Sequence, residues 1–166
     1  MDIALDTNAI SAYFGGDAAV ASAIRNASSV LMFPFVVGEL EAGFRGGNRY
    51  EANKKVLKSF LSEPNVRIVQ TTLRTTELFG ELKDSLRKAG TMIPIDDVWI
   101  GAMAKEHLAQ VVSFDRHFGF MVPLGVDWLN LKNNFPSPSG IHRGEAELAK
   151  QVEWCAGMAA VTQVDL

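Results

Sequence analysis

One cysteine, Cys155, serves the whole chain, so there is no internal disulfide and no cysteine-based zinc site built by this chain unaided. Long apolar runs are missing too. The longest stretches, such as residues 30–37, fall well short of the ~20 residues that cross a bilayer. No basic segment followed by a hydrophobic core opens the sequence, which removes the signature of a secretory signal. There is no G-x-S-x-G elbow, no Walker A loop, no internal repeat and no low-complexity tract. His107, His117 and His142 share no metal-ligand spacing and are expected in surface or packing roles. Together these absences lead us to expect a soluble, cytoplasmic protein with no membrane partner.

What is present is an ordinary globular composition. With 166 residues, 48% hydrophobic and 21% charged, the chain can bury about two-thirds of its unfolded surface in one domain. A net charge of −3 and a pI near 5.6 weigh against nucleic acid as a partner. If four acids form a metal site, the other 15 face 16 basic residues, so the global charge does not decide the question.

Short apolar runs alternate with helical patterns. Strands are expected at residues 3–5, 30–32, 66–69 and 111–112, and near Met121 and Val122. Helices are expected after Asp6, from Asp17 to about Ala27, from Pro34 to about Phe44, and over residues 48–62. Two more are expected, from Thr71 or Thr72 to Ala89 and from about Asp96 to Leu108, followed by a short helical turn at residues 116–118. This alternation predicts an α/β fold with a parallel sheet covered on both faces. The domain is expected to end near Lys132. Residues 133–166 then read as a Pro/Ser-containing linker, and a helix over about 145–161 with Leu148, Val152, Cys155 and Ala159 on one side.

In such a sheet, sites form beyond the carboxyl ends of the strands. Asp6, Glu39, Asp97 and Asp115 stand just after expected strands or early in the following helices. Each has an alternative reading: Asp6 as a helix cap, Asp115 as a loop acid. Asp96, at a helix boundary, is the better candidate for pure capping. Asp97 resists that reading because it shares a face with Ile100, Gly101, Ala104 and Leu108, the side expected to pack inward. Glu39 and Glu41 flank the apolar face of their helix equally, and periodicity does not choose between them. Carboxylates gathered at one sheet edge repel unless protons or cations neutralise them. Oxygen-only ligands suit Mg²⁺ or Mn²⁺, and two such ions can promote phosphodiester hydrolysis.

Four segments carry a resemblance: Leu5-Asp6-Thr7-Asn8, Phe35-Val36-Val37-Gly38-Glu39-Leu40, Ile93-Pro94-Ile95-Asp96-Asp97-Val98-Trp99-Ile100 and Ser113-Phe114-Asp115-Arg116-His117-Phe118. In this order they resemble the PIN-domain family, and more closely the VapC-type ribonuclease toxins of toxin–antitoxin pairs, over about residues 2–130. The resemblance implies a PIN-like α/β/α sandwich around a parallel sheet of four to five strands. It implies that Asp6, Glu39, Asp97 and Asp115 are the catalytic, metal-binding acids, with Glu39 chosen over Glu41, and that Asn8 orients the site by hydrogen bonding. Asp96 stands where Asn is common and Ser113 where Thr is common; the added charge of Asp96 opens the metal shell to it.

The implied activity is Mg²⁺-dependent cleavage of structured RNA, tRNA or ribosomal RNA, with Mn²⁺ as a substitute, leaving a 3′-hydroxyl and a 5′-phosphate. Implied partners are a VapB-like antitoxin and a second copy of the chain in a homodimer. A non-catalytic RNA-binding module and a nuclease acting on DNA stand as the alternatives. Arg45, Arg49, Lys54, Lys55 and Lys58 form a basic stretch that reads as either a solvated helix face or a guide for the RNA backbone. Trp99 and Phe114 are expected in the core, and Trp128 in the core or an interface.

Overall fold

The computed structural model describes residues 1–132. In chain order the elements are β1 (Ile3–Leu5), α1 (Thr7–Phe14), α2 (Ala18–Asn26), β2 (Val30–Met32), α3 (Pro34–Arg45) and α4 (Tyr50–Leu61). They continue with β3 (Val66–Ile68), α5 (Leu73–Lys88), α6 (Ile95–Glu106), β4 (Gln110–Ser113), a 3₁₀ helix (Arg116–Leu124) and β5 (Trp128–Asn130). The five strands form one sheet in the order β3-β2-β1-β4-β5, and every neighbouring pair is parallel. The result is the α/β/α sandwich expected from the alternation of strands and helices. The Pro/Ser-containing linker after Lys132, the helix expected over 145–161, His142 and Cys155 lie outside the described residues.

Burial explains the strand pattern. All residues of β1 and β2 are buried, so these strands read as continuous apolar runs instead of alternating ones. β3 lies at the sheet edge and buries only Val66. The helix starts follow from local chemistry. Asp6 caps α1 by accepting from the Ala9 N–H at 2.8 Å, and Asp17 caps α2 by accepting from Ala19 and Val20. Pro34 opens α3, and Thr72 with Thr75 forms a reciprocal capping box on α5. α5 and α6 form a hairpin in which Phe79 and Trp99 stack, centroids 3.9 Å apart. Trp99 is thus half-buried rather than core, whereas Phe114 and Trp128 are half-buried and pack against the core.

Two expected elements fall differently. No strand forms at Met121 and Val122; the 3₁₀ helix continues through them, and β5 lies at Trp128–Asn130, paired with β4. Phe118 and Met121, both fully buried, are three residues apart, the repeat of a 3₁₀ helix, and Gly125 at φ 85° stops it. Gly119 is required here, because a Cβ would stand 2.9 Å from the Trp128 ring. The other difference is at the end of α6, which stops at Glu106 instead of reaching Leu108. The chain must turn into β4, and Leu108 takes a left-handed φ of 52° with its side chain 88% exposed. The expected inward positions Ile100, Gly101 and Ala104 are buried, together with Val98, Ala102 and Met103, whereas Asp97 is half-buried and Leu108 is exposed.

Candidate metal centre

The sheet order reverses at β1. From this strand the chain builds outward to β2 and β3, then returns to its other side with β4 and β5. The crevice beyond the carboxyl ends of β1 and β4 is therefore the switch point where parallel α/β sheets place ligands. Asp6 directly follows β1, Ser113 ends β4, and Asp115 caps the 3₁₀ helix that follows. Asp97 enters the same region from the first turn of α6, where the positive end of the helix dipole favours an acid.

Asp97, Asp115 and His117 each place one donor atom within 4.8 Å of the others. Nδ1 of His117 lies 2.9 Å from Asp97 Oδ2 and 3.0 Å from Asp115 Oδ1. The His117 backbone N–H donates to the same Asp115 oxygen at 2.9 Å, so the cap that starts the 3₁₀ helix also folds the ring back over the acids. His117 was expected in a surface or packing role. Its only sequence signal is its position two residues after Asp115, inside the fourth of the segments that carry the resemblance.

Asp6 is the buried member. One oxygen accepts from the Ala9 N–H and the other from the Ser113 hydroxyl. Burial pushes its carboxyl up to about 7, and the charges of Asp97 and Asp115 push the same way against those two hydrogen bonds. Asp97 is raised as well, by burial first and then by Asp115, with His117 opposing. Ser113 ties the cluster together: while donating to Asp6, its hydroxyl accepts from the Asp115 N–H at 2.8 Å and the Asn8 amide at 3.4 Å. Asn8 also accepts from the Phe114 N–H at 3.1 Å, lacing α1 to the end of β4.

Glu39 is exposed on the second turn of α3 and accepts a hydrogen bond from the hydroxyl of Thr7, the residue after Asp6. The structure thus links Glu39 to the centre through Thr7 but leaves it outside the tight Asp97–Asp115–His117 group. Asp96 is exposed and also outside that group. Glu41 turns away from the centre, accepting from the Tyr50 hydroxyl at 3.0 Å. Of the basic stretch, Arg45 and Lys54 fold over the Tyr50 ring and hydrogen-bond its hydroxyl, leaving Arg49, Lys55 and Lys58 as exposed charges.

The donor set fits a divalent cation. Several oxygens converge with few cationic partners, and the carboxyls of Asp6 and Asp97 are raised by burial first and by their neighbours' charge second, a cost that a cation would relieve. Comparison with known proteins accords with this geometry. Residues 3–119, well over half of the chain, match the PIN domain family. The chain belongs to the PIN domain family. Solved structures with this PIN fold include VapBC2 from Rickettsia felis, bound to a DNA fragment from its promoter, at 22% identity and TM-score 0.68, covering 78% of this chain and 98% of that one. VapBC-1 from nontypeable Haemophilus influenzae aligns at 20% identity and TM-score 0.69, covering 80% of this chain and 100% of that one. VapC20 of Mycobacterium tuberculosis, a sarcin–ricin-loop-cleaving toxin, aligns at 19% identity and TM-score 0.56, covering 78% and 98%. No curated protein sequence matches this PIN domain. Among its described residues, no helix is long and apolar enough to cross a membrane.

Proposed function

We propose that this PIN domain is a metal-dependent endoribonuclease, a VapC-like toxin that cleaves structured RNA and is neutralised by a cognate VapB-like antitoxin. The observation that carries the reading is the convergence of acids from separate elements at the switch point: Asp6 after β1, Asp97 on α6 and Asp115 after β4. The VapBC complexes among the similar structures, and the RNA-cleaving VapC20, support the toxin and antitoxin parts of the reading.

Asp6, Asp97 and Asp115 would hold Mg²⁺, or Mn²⁺ in its place, with Glu39 completing the acid set from α3. When bound, such a cation neutralises a phosphate, activates water and stabilises the leaving oxygen. The chain's own residues supply the positioning. Ser113 and the Ala9 N–H fix both oxygens of Asp6, Asn8 braces α1 against the loop after β4, and Thr7 orients Glu39. Arg49, Lys55 and Lys58 offer exposed charge for the RNA backbone. A homodimer and a cytoplasmic setting complete the proposal.

The test is end-mapping of cellular RNA, and of DNA of matched structure, after incubation with antitoxin-free protein. Mg²⁺, Mn²⁺ and EDTA conditions run beside folded Asp97→Asn protein. The expected result is new 5′-phosphate ends at a few RNA sites, present only with metal and the unsubstituted protein. Metal-independent cleavage, or equal cleavage by Asp97→Asn, would overturn the reading. RNA binding without turnover would mark a binding module, and cleavage confined to DNA a different nuclease.

A further inference from the structure

The four-acid reading gives His117 no part, yet its ring nitrogen is the atom that both Asp97 and Asp115 face. We propose that His117 is a metal ligand through Nδ1, completing a two-carboxylate, one-imidazole binding point that favours Mn²⁺ over Mg²⁺. The proposal rests on the metal centre argued above and adds a donor of different chemistry to it.

Spacing supports the assignment. Adjacent ligands of an octahedral ion bound at 2.0–2.1 Å stand roughly 2.9 Å apart. Nδ1 lies 2.9 Å from one carboxylate oxygen and 3.0 Å from the other, so it already sits at the separation of a neighbouring ligand from each. Local structure holds the ring there. Asp115 caps the His117 N–H, and the next residue, Phe118, is completely buried, anchoring the segment to the core. The ring is about one-third exposed, leaving a face open toward solvent.

Ligand chemistry supplies the selectivity. Mg²⁺ prefers oxygen and sheds its waters reluctantly, whereas transition ions accept an imidazole nitrogen. Nδ1 must present a lone pair to an ion, which places the ring proton on Nε2. A His117 that only donates a hydrogen bond to the two acids would keep Nδ1 protonated and contribute nothing to an ion's first shell. The two arrangements differ spectroscopically.

The decisive experiment loads the full chain with Mn²⁺ and looks for nitrogen coupling by pulsed electron paramagnetic resonance. Protein grown on ¹⁴N histidine is compared with protein grown on ¹⁵N histidine. Calorimetric titrations with Mn²⁺ and with Mg²⁺ accompany it for the unsubstituted chain, His117→Gln and Asp97→Asn. We expect directly bound imidazole nitrogen in the unsubstituted protein, changing with the isotope and lost in His117→Gln. Mn²⁺ affinity should fall about 10-fold in His117→Gln, while Mg²⁺ affinity changes less than about 2-fold. Bound Mn²⁺ without nitrogen coupling, or an equal loss for both ions, would overturn the role of His117 and leave the acid centre standing. Failure of the unsubstituted chain to bind either ion, or unchanged binding by Asp97→Asn, would overturn the acid centre itself. The isotope comparison needs no substitution, so a folding defect in His117→Gln does not blunt it.

Discussion

At one end of α6, Glu106 accepts hydrogen bonds from the hydroxyls of Thr72 and Thr75. Burial works against its charge, but the two threonines outweigh burial and hold the Glu106 carboxyl below its ordinary value. At the other end of the same helix, Asp97 meets Asp115 and His117, and its carboxyl is pushed up. The threonines outweigh burial at Glu106, whereas the His117 contact does not offset burial and the neighbouring charge at Asp97. A folded chain gains from satisfying its carboxylates, so an end where burial and like charge accumulate points to a ligand. Under the proposed metal centre, the contrast separates an acid that the fold satisfies from one proposed to hold a cation, at opposite ends of one helix.

The comparison can be broken at the functional end first. Asp97→Asn should reduce metal-dependent cleavage by on the order of 10³-fold while circular dichroism and the melting temperature of the metal-free protein stay near those of the unsubstituted chain. Cleavage at an undiminished rate by the folded variant would remove Asp97 from the centre.

Asp6→Asn tests the stored electrostatic cost. Because the folded-state pKa of Asp6 is raised from 3.8 to about 7, the native protein holds a proton that the unfolded chain releases. Its contribution to stability is full below pH ~4 and is lost as the pH rises through 7. Asparagine carries no charge; its single oxygen still accepts from the Ala9 N–H, while its NH2 takes the place of the oxygen that accepted from Ser113, so that one bond is lost and offsets about 1 kcal/mol of the gain. The metal-free variant should be more stable than the unsubstituted chain at pH 7.5, by roughly 3 kcal/mol, with the difference shrinking toward zero near pH 4. Urea titrations across that range check the sign. A difference that grows on acidification would contradict it.

Smaller effects sharpen the contrast from the satisfied end. Glu106→Gln cannot accept as two strong charge-assisted bonds and should cost about 1 kcal/mol of stability, leaving cleavage unchanged. Leu108→Gly should do the reverse, adding roughly 0.5–1 kcal/mol, because Leu108 is exposed and holds a left-handed backbone that glycine adopts freely. Loss of cleavage in either variant, with stability kept, would mean that the two ends of α6 are not separate.

Much of the fold was legible because its signals are local. Asp6, Asp17, Pro34 and Thr72 start helices through bonds or ring geometry within a few residues of themselves. The runs at 3–5, 30–32 and 111–112 are apolar because both faces of the central strands are covered. The strand expected at Met121 and Val122 failed because two buried residues three apart fit a 3₁₀ turn as well as a short apolar run. Of the candidate site, Asp6, Asp97 and Asp115 were legible as candidates from their places after strands and at a helix start, and the structure brings them to one region. Glu39 required a family resemblance, since Glu41 fitted the helix equally well. The contact of His117 with Asp97 was not legible, because the two stand twenty residues apart in the chain and only the fold brings them together.

The sequence alone determined the alternation of strands and helices, the caps and the order of the acids, because propensity, capping and apolar pattern act over a few residues. Only the tertiary structure decided that β1 and β4 lie side by side, that Ser113 joins Asp6, Asn8 and Asp115, and that His117 faces two carboxylates. Those relations span up to 107 residues and depend on the parallel pairing that closes the sheet. The electrostatic character of the centre follows from the same cause, because a carboxylate's charge becomes costly only where the fold buries it beside others.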